Sequence, residues 1–386
     1  MSSTHVGLAI SVGSGVFLVT QNGVNNALKE AVLPNAFATG FVSFTCSLAF
    51  IATVAAVHKP CSGFSFFGAP WYAYTGGLLG PIYVMGAVVL ADRLGFAVFQ
   101  LCAIVGQLLV SLVCDATGFL SDTFRIPSAA RLVALAGIVC GTALTMGNGL
   151  ATSALIDAPC YEAVPLLVGG CLSGSGMPIQ ALVNGVMTRH VGTPYRASTV
   201  SFTGGTLSLG LITLVIALFS PEPLVFKPEA GVLWMWRCRT SPRLIAAPEL
   251  SCPPPQPIIL AHHLEPSPHL ITFTHLFALS CLLAEIFCRL RISQRSARNS
   301  GGLCGALGIT GNIVGVSMLG PAAYSATLVA SQLCAAFLYD MIGAFGFDPV
   351  TPSLSRVAGV LLAAISAVAY QIAPVTMTAK ANQPML

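Results

Sequence analysis

The chain contains most of itself twice. Residues 76–131 recur at 301–356, 225 positions further on. Gly76-Gly77-Leu78 returns as Gly301-Gly302-Leu303, Gly80 as Gly305, and Leu94-Gly95 as Leu319-Gly320. Gln107-Leu108 returns as Gln332-Leu333, Asp115 as Asp340, Gly118 as Gly343, Pro127-Ser128 as Pro352-Ser353, and Arg131 as Arg356. An earlier stretch repeats at a shorter offset. Gln21 and Asn25 reappear 159 positions on as Gln180 and Asn184, and Val42-Ser43-Phe44-Thr45 reappears 158 positions on as Val200-Ser201-Phe202-Thr203. A period this long marks a duplicated domain, because solenoid repeats run only ~20–50 residues.

Composition places both copies in a membrane. Only 8% of residues are charged, 55% are hydrophobic and the mean hydropathy is +0.82, whereas a soluble domain carries roughly 25% charged residues. The 38 glycines and 25 prolines fit this setting, since both are frequent in membrane helices. A net charge of +4, scattered along the chain, argues against nucleic acid as a partner. Met1–His5 lacks the basic region of a cleavable leader, so the first apolar run is expected to remain as a helix. The 13 cysteines lie in apolar runs without a CxxC pair. They read as small packing residues, and no metal or cofactor is expected.

Apolar runs of ~17–25 residues are long enough to cross a bilayer as helix. Five fall in the first copy, near 6–25, 35–57, 72–91, 96–114 and 129–147. Five more fall in the second, near 163–184, 197–219, 301–319, 323–341 and 355–373. The expected fold is therefore an all-α integral membrane protein of ten transmembrane helices. An odd number of spans per copy makes the second enter from the opposite face, so the copies form two inverted five-helix repeats. Such repeats hold a site near the midplane at their interface. Cytoplasmic segments would carry six basic residues (Lys59, Arg125, Arg131, Arg189, Arg196, Lys380) against four outside (Lys29, Arg93, Lys227, Arg356), which favours an inside N-terminus.

The two offsets differ by some 66 residues, which locates an addition. Residues 1–150 form the first repeat, 160–236 supply helices six and seven of the second, and 300–375 supply helices eight to ten. Between them, 237–299 interrupts the repeat. It holds seven of the 17 basic residues, four of the seven histidines and Pro253-Pro254-Pro255. Three readings of it stand side by side: a disordered polar loop on the outer side, a basic partner-binding segment, and translated non-coding sequence such as a retained intron. Within it, Leu270–Cys288 is apolar, but His275 and Glu285 make it a poor span.

The sequence carries no GxSxG, HExxH, Walker or paired CxxC motif, so an enzyme is not expected. Gly13-Ser14-Gly15 and Gly174-Ser175-Gly176 lie within apolar runs rather than after strands, which argues against a phosphate loop. The available chemistry is hydrogen bonding inside a membrane. Gln21 and Asn25, four apart, share a helix face, as do Gln180 and Asn184. Polar side chains at this depth cost free energy unless they are paired or face a wet cavity. Substrate contact and helix–helix bonding are both open readings for these four, and for Gln107 and Gln332. Asn312 has Ala87 as its counterpart, an asymmetry that suits a substrate which is itself asymmetric. Asp115 with Arg131, and Asp340 with Arg356, are expected to form structural ion pairs locking a turn. The GxxxG pairs Gly76/Gly80 and Gly301/Gly305 are expected to serve close helix packing.

Together these residues resemble the drug/metabolite transporter superfamily, and within it the YdcZ-type branch, in a fused double-length form. The resemblance rests on Gln21/Asn25 and Gln180/Asn184 ending the first span of each half. It rests equally on an aromatic-then-GGxxG start to the third (Tyr74–Gly80; Trp236, then Gly301–Gly305) and on the Leu94–Asp115 and Leu319–Asp340 elements of the fourth. It implies a multi-pass plasma-membrane carrier that moves a small metabolite or drug-like solute by alternating access, with a single chain sufficient. The other functional class is a non-transporting membrane scaffold that docks a partner through 237–299.

Overall fold

The computed structural model describes residues 3–31, 35–58, 65–94, 96–121, 123–146, 160–219, 301–344 and 351–379. The interrupting segment 237–299, with Leu270–Cys288, lies outside the described residues. Ten helices carry the fold: α1 (Ser3–Ala31), α2 (Ala36–Val57), α3 (Gly76–Val89), α4 (Phe96–Thr117), α5 (Ala129–Thr145), α6 (Cys160–Val191), α7 (Pro194–Phe219), α8 (Gly301–Leu319), α9 (Pro321–Ile342) and α10 (Leu354–Ile372). Each falls on one expected span. Eight are long and apolar enough to cross a membrane. The exceptions are α3, with 14 residues, and α5, with 17.

Local chemistry sets the helix ends. Asn35 accepts from the amides of Phe37 and Ala38 to start α2, and Ser128 and Ser353 accept from Arg131 and Arg356 to start α5 and α10. These caps satisfy donors that a helix leaves orphaned. Gly118 and its counterpart Gly343 end α4 and α9 at φ 61° and 62°, left-handed conformations that cost glycine least. The third span begins later than its apolar run, because Trp71–Tyr74 form a separate 3-10 turn ahead of Gly76. The all-α expectation needs one correction. Thr123–Pro127 (β1) and Val375–Ala379 (β2) pair as an antiparallel two-stranded ribbon. Thr123, Phe124 and Ile126, and Val375, Thr376 and Thr378, are β-branched or aromatic residues outside the spans, which favour strand over helix.

The halves interlock instead of sitting side by side. Helix α1 packs against α8 and α9, and its counterpart α6 packs against α3 and α4. The remaining helices meet their own counterparts, α2 with α7 and α5 with α10. These counterparts run in opposite directions. Phe44 of α2 meets Phe202 of α7 edge-on at 5.5 Å, while Gly40 faces Leu209. At α4 and α9, the end of one meets the start of the other: Asp115 bonds Ala322, and Ser111 bonds Ser325 at 2.7 Å. In α5 and α10, Gly137 lies against Ser366 and Gly141 against the Gly359 carbonyl.

Outward faces are apolar at helical spacing. Leu207, Leu211, Leu214 and Leu218 of α7, and Leu361, Ile365, Val368 and Ile372 of α10, are exposed. Inside lie small and polar residues; α8 buries Gly301, Gly302, Gly305, Gly308, Gly311 and Gly315 along one helix. Small residues let backbones approach where lipid supplies no hydrophobic drive between helices. A Cβ at Gly141 would lie 2.6 Å from the Gly359 carbonyl and 2.7 Å from the Ala363 nitrogen. Gly141→Val is therefore expected to destabilise the α5–α10 contact by about 1–3 kcal/mol. Thermal unfolding in detergent reads this as a lowered midpoint; an unchanged midpoint contradicts the packing.

Candidate functional site

The two repeated motifs of the sequence meet each other across the halves. In α6, Asn184 lies over Gly76 of α3, and Gln180 lies over Gly80, where an added Cβ would be 3.2 Å from Gln180 Nε2. In α1, Asn25 lies over Gly301 of α8, its Oδ1 3.4 Å from the Cβ position, and Gln21 lies over Gly305. One spacing of four therefore reads another in antiparallel register: the glutamine finds the second glycine and the asparagine the first. A side chain at Gly76 would displace the Asn184 amide, and one at Gly305 the Gln21 amide.

Each amide pair also holds the second helix of its own half. Gln180 Nε2 and Asn184 Nδ2 both donate to Ser201 Oγ of α7 at 3.2 Å. Gln21 Nε2 donates to the counterpart Ser43 Oγ of α2 at 3.4 Å. Ser47 adds a 2.8 Å bond to the Gly302 carbonyl. Phe44 reaches Gly80 and Gly205, and its ring against Phe202 joins the two clusters. Gln21 is 9% exposed, Gln180 and Asn184 are 2% exposed, and Asn25 is half-buried. Among the described residues no group bonds Gln180 Oε1, an acceptor held dry inside the bundle.

The other sequence candidates lie elsewhere. Gln107 is buried on α4 and Gln332 half-buried on α9, in neither amide cluster. Asn312 is buried on α8, two residues beyond Thr310, whose hydroxyl bonds Ser198 of α7 at 3.0 Å. Asp340 and Arg356 come together as expected. Asp115 does not take Arg131. Its Oδ2 accepts from the Ala322 amide at 3.0 Å, capping α9, and its Oδ1 lies 4.0 Å from Arg125 Nη1. The ribbon carries Arg125 back over the end of α4. Arg131 instead donates to the Ala373 carbonyl at 3.1 Å and stacks on the Tyr370 ring at 4.7 Å. The bonds of Asp115 to Ala322 and of Arg131 to Ala373 run between the halves, so these two side chains tie one end of the bundle together.

A third polar cluster escaped the sequence. Tyr83 of α3 donates its hydroxyl to Gln100 Oε1 of α4 at 3.2 Å, and Asn22 of α1 lies beside the same hydroxyl. Ser43 and Ser201 were visible as repeated residues, but not as partners of the amides. Among the described residues, no group of His, Cys, Asp and Glu is placed to hold a metal.

Comparison with known proteins agrees with this architecture. The family model described as "Putative inner membrane exporter, YdcZ" matches residues 6–144, 165–237 and 269–369, leaving out 145–164 and 238–268, the first half of the interrupting segment, and matching the rest of that segment. No curated protein matches the chain at a significant level. Twenty-six chains of solved structures match. One, described only as "Crystal structure of protein", aligns over 96% of this chain and 97% of its own at 14% identity, with a TM-score of 0.59. That likeness shows a shared fold. The family match and the long apolar helices place the chain in the inner membrane as a multi-pass integral protein.

The Gly305–Gln21 contact yields a coupling test. Gly305→Ala is expected to cost about 1–3 kcal/mol by overpacking. Gln21→Ala in that background is expected to regain part of it, as a coupling of roughly 0.5–3 kcal/mol. Additive midpoints in thermal unfolding would show that the two do not touch. Asp115→Ala is expected to cost about 1 kcal/mol through the lost cap on α9; an unmoved midpoint argues against the capping contact.

Proposed function

Because this chain belongs to the YdcZ family of inner-membrane exporters, we propose that it moves a small metabolite or drug-like solute by alternating access. The carrying observation is the opposed running of counterpart helices, α2 against α7, α4 against α9 and α5 against α10. Ten spans in two inverted repeats, 1–150 and 160–236 with 300–375, account for it. So does the mutual fit of the two Gln/Asn–Gly clusters, which one arrangement repeated in reverse would generate. A single chain then suffices for the carrier.

The exchange of first helices suggests the moving bodies. One is α3, α4 and α6; the other is α8, α9 and α1, and they meet along α4–α9 and α6–α8. At the end where α4 stops and α9 starts, Asp115 and Arg131 tie the halves, with Arg125 beside Asp115. Opening there requires those bonds to part. Away from the helix ends the buried polar side chains are hydroxyls and amides, among them Ser14, Gln21, Gln107, Gln180, Asn184 and Asn312, and Ser111 meets Ser325 where the bodies join at α4–α9. An uncharged polar interior suits a solute that keeps little net charge while it crosses, since an unpaired charge in a dry site is costly. The Gln/Asn set supplies both donors and acceptors to such a solute. It also joins helices, so loss of one amide acts on binding and on packing together.

The test begins with thermal stabilisation of the purified protein by a panel of metabolites, polyamines and cationic drugs, since a ligand of the folded state raises stability by mass action. A stabilising solute is then followed in proteoliposomes. Gln21→Ala and Gln180→Ala are expected to lower uptake into inverted vesicles about tenfold, the equivalent of one hydrogen bond lost. Unchanged uptake in folded variants removes these residues from the transport path. A well-folded protein that moves no member of the panel counts against the carrier and favours the scaffold.

A further inference from the structure

The two halves share a scaffold but not its interior chemistry. Tyr83, Asn22 and Gln100 converge from α3, α1 and α4. Their counterparts, by the same offsets of 225 and 159, are Gly308, Ala181 and Ser325. Three side chains that form a hydrogen-bonded cluster in one half are thus reduced to almost nothing in the other. There, Leu18 packs against Gly308 and takes up the room, and Ser325 turns to Ser111. The architecture evidently closes without the cluster, so helix packing alone does not require it.

Two further observations point to a ligand. Tyr83 lies between two buried clusters, one holding Leu18 and Met177, the other Phe99 and Ala103. Even so, Tyr83, Asn22 and Gln100 each keep accessible surface while most of their neighbours keep almost none. Tyr83 also follows Gly80 by one turn of α3, on the side that Gly76 and Gly80 present to α6. Gln180, 2% exposed, lies over Gly80 with its Oε1 unbonded among the described residues. An amide oxygen held without a donor costs free energy that a bound donor restores.

We propose that Asn22, Tyr83 and Gln100, with Gln180 Oε1, form the solute-binding site, and that it takes an uncharged small molecule combining an N–H or O–H donor with an apolar body. The donor meets Gln180 Oε1 and the amide oxygens, while the apolar body lies against Tyr83, Phe99, Met177 and Leu18. Among the described residues these walls offer no carboxylate for a cation and no guanidinium for an anion. The counterparts of Asn22, Tyr83 and Gln100 build no second such site, so the solute binds in one orientation. This inference rests on the carrier reading above and names where and what it binds.

The probe is N-acetyl-L-phenylalaninamide, uncharged and donor-bearing, with benzyltrimethylammonium as a donorless cation of similar bulk. With the full chain in proteoliposomes, uptake of the amide and its stabilisation of the protein are both measured. Wild type is expected to bind and move the amide but not the cation. Asn22→Ala, Tyr83→Phe and Gln100→Ala, each a change toward what the other half tolerates, are expected to keep the unfolding midpoint without ligand. They should weaken the half-saturating concentration about three- to tenfold, as for one hydrogen bond lost. Saturation unchanged in all three variants overturns the site and leaves the carrier standing. Preference for the cation overturns the ligand class. No movement of either probe by wild type, with other solutes of the panel carried, also overturns the class; no movement of any solute overturns the carrier itself.

Discussion

The fold depends on an amide lying over a glycine. Lipid tails are as apolar as leucine, so nothing hydrophobic drives one membrane helix onto another, and close packing with a few hydrogen bonds must do it. Gln21 and Asn25 over Gly305 and Gly301, and Gln180 and Asn184 over Gly80 and Gly76, supply both at once. The glycine removes the side chain that would hold the backbones apart. The amide then fills the gap and bonds a serine on the next helix. Interhelical bonds of this kind are worth roughly 0.6 kcal/mol each. The contact fixes register as much as stability, because a spacing of four on one helix accepts only a spacing of four on its antiparallel partner.

From that register follows the exchange of helices. A first helix committed to the other half's third helix cannot also close its own half, so neither half buries its polar face alone. The amides are held at the crossed contacts between first and third helices, and Ser111 meets Ser325 where α4 crosses α9. The charged residues lie apart, at the helix ends, where Asp115 and Arg131 bridge the halves. Charge in the middle of the bundle would have to be paired or would raise the cost of every passage.

Much of this was legible in the sequence. The two offsets placed each helix, because membrane spans announce themselves by length and hydropathy, and the motifs Gln-x-x-x-Asn and Gly-x-x-x-Gly were both visible. That one lies upon the other was not, since a single sequence gives no pairing between distant segments. The partner of Asp115 was misjudged for a similar reason: sixteen residues separate it from Arg131, but the β1 ribbon brings Arg125 closer. The ribbon itself left a faint trace in the alternation of Thr123, Phe124, Arg125 and Ile126, too short to outweigh the helical pattern around it. Asn22, Tyr83 and Gln100 were hidden by attention to what repeats. Their signal is the reverse, large polar residues facing Ala181, Gly308 and Ser325 in the duplicate, as Asn312 faces Ala87.

Opposed orientation of the two halves underlies every part of this account. Thr117 and Ile342 are counterparts, 225 positions apart, both exposed at the ends of α4 and α9. Cysteines placed singly at these positions, in a chain freed of its 13 native cysteines, can be labelled in intact cells with a membrane-impermeant maleimide. Labelling of one position from outside, and of the other only after the membrane is opened, is the predicted result. Labelling of both from the same face would contradict the inverted pairing and with it the carrier built upon it.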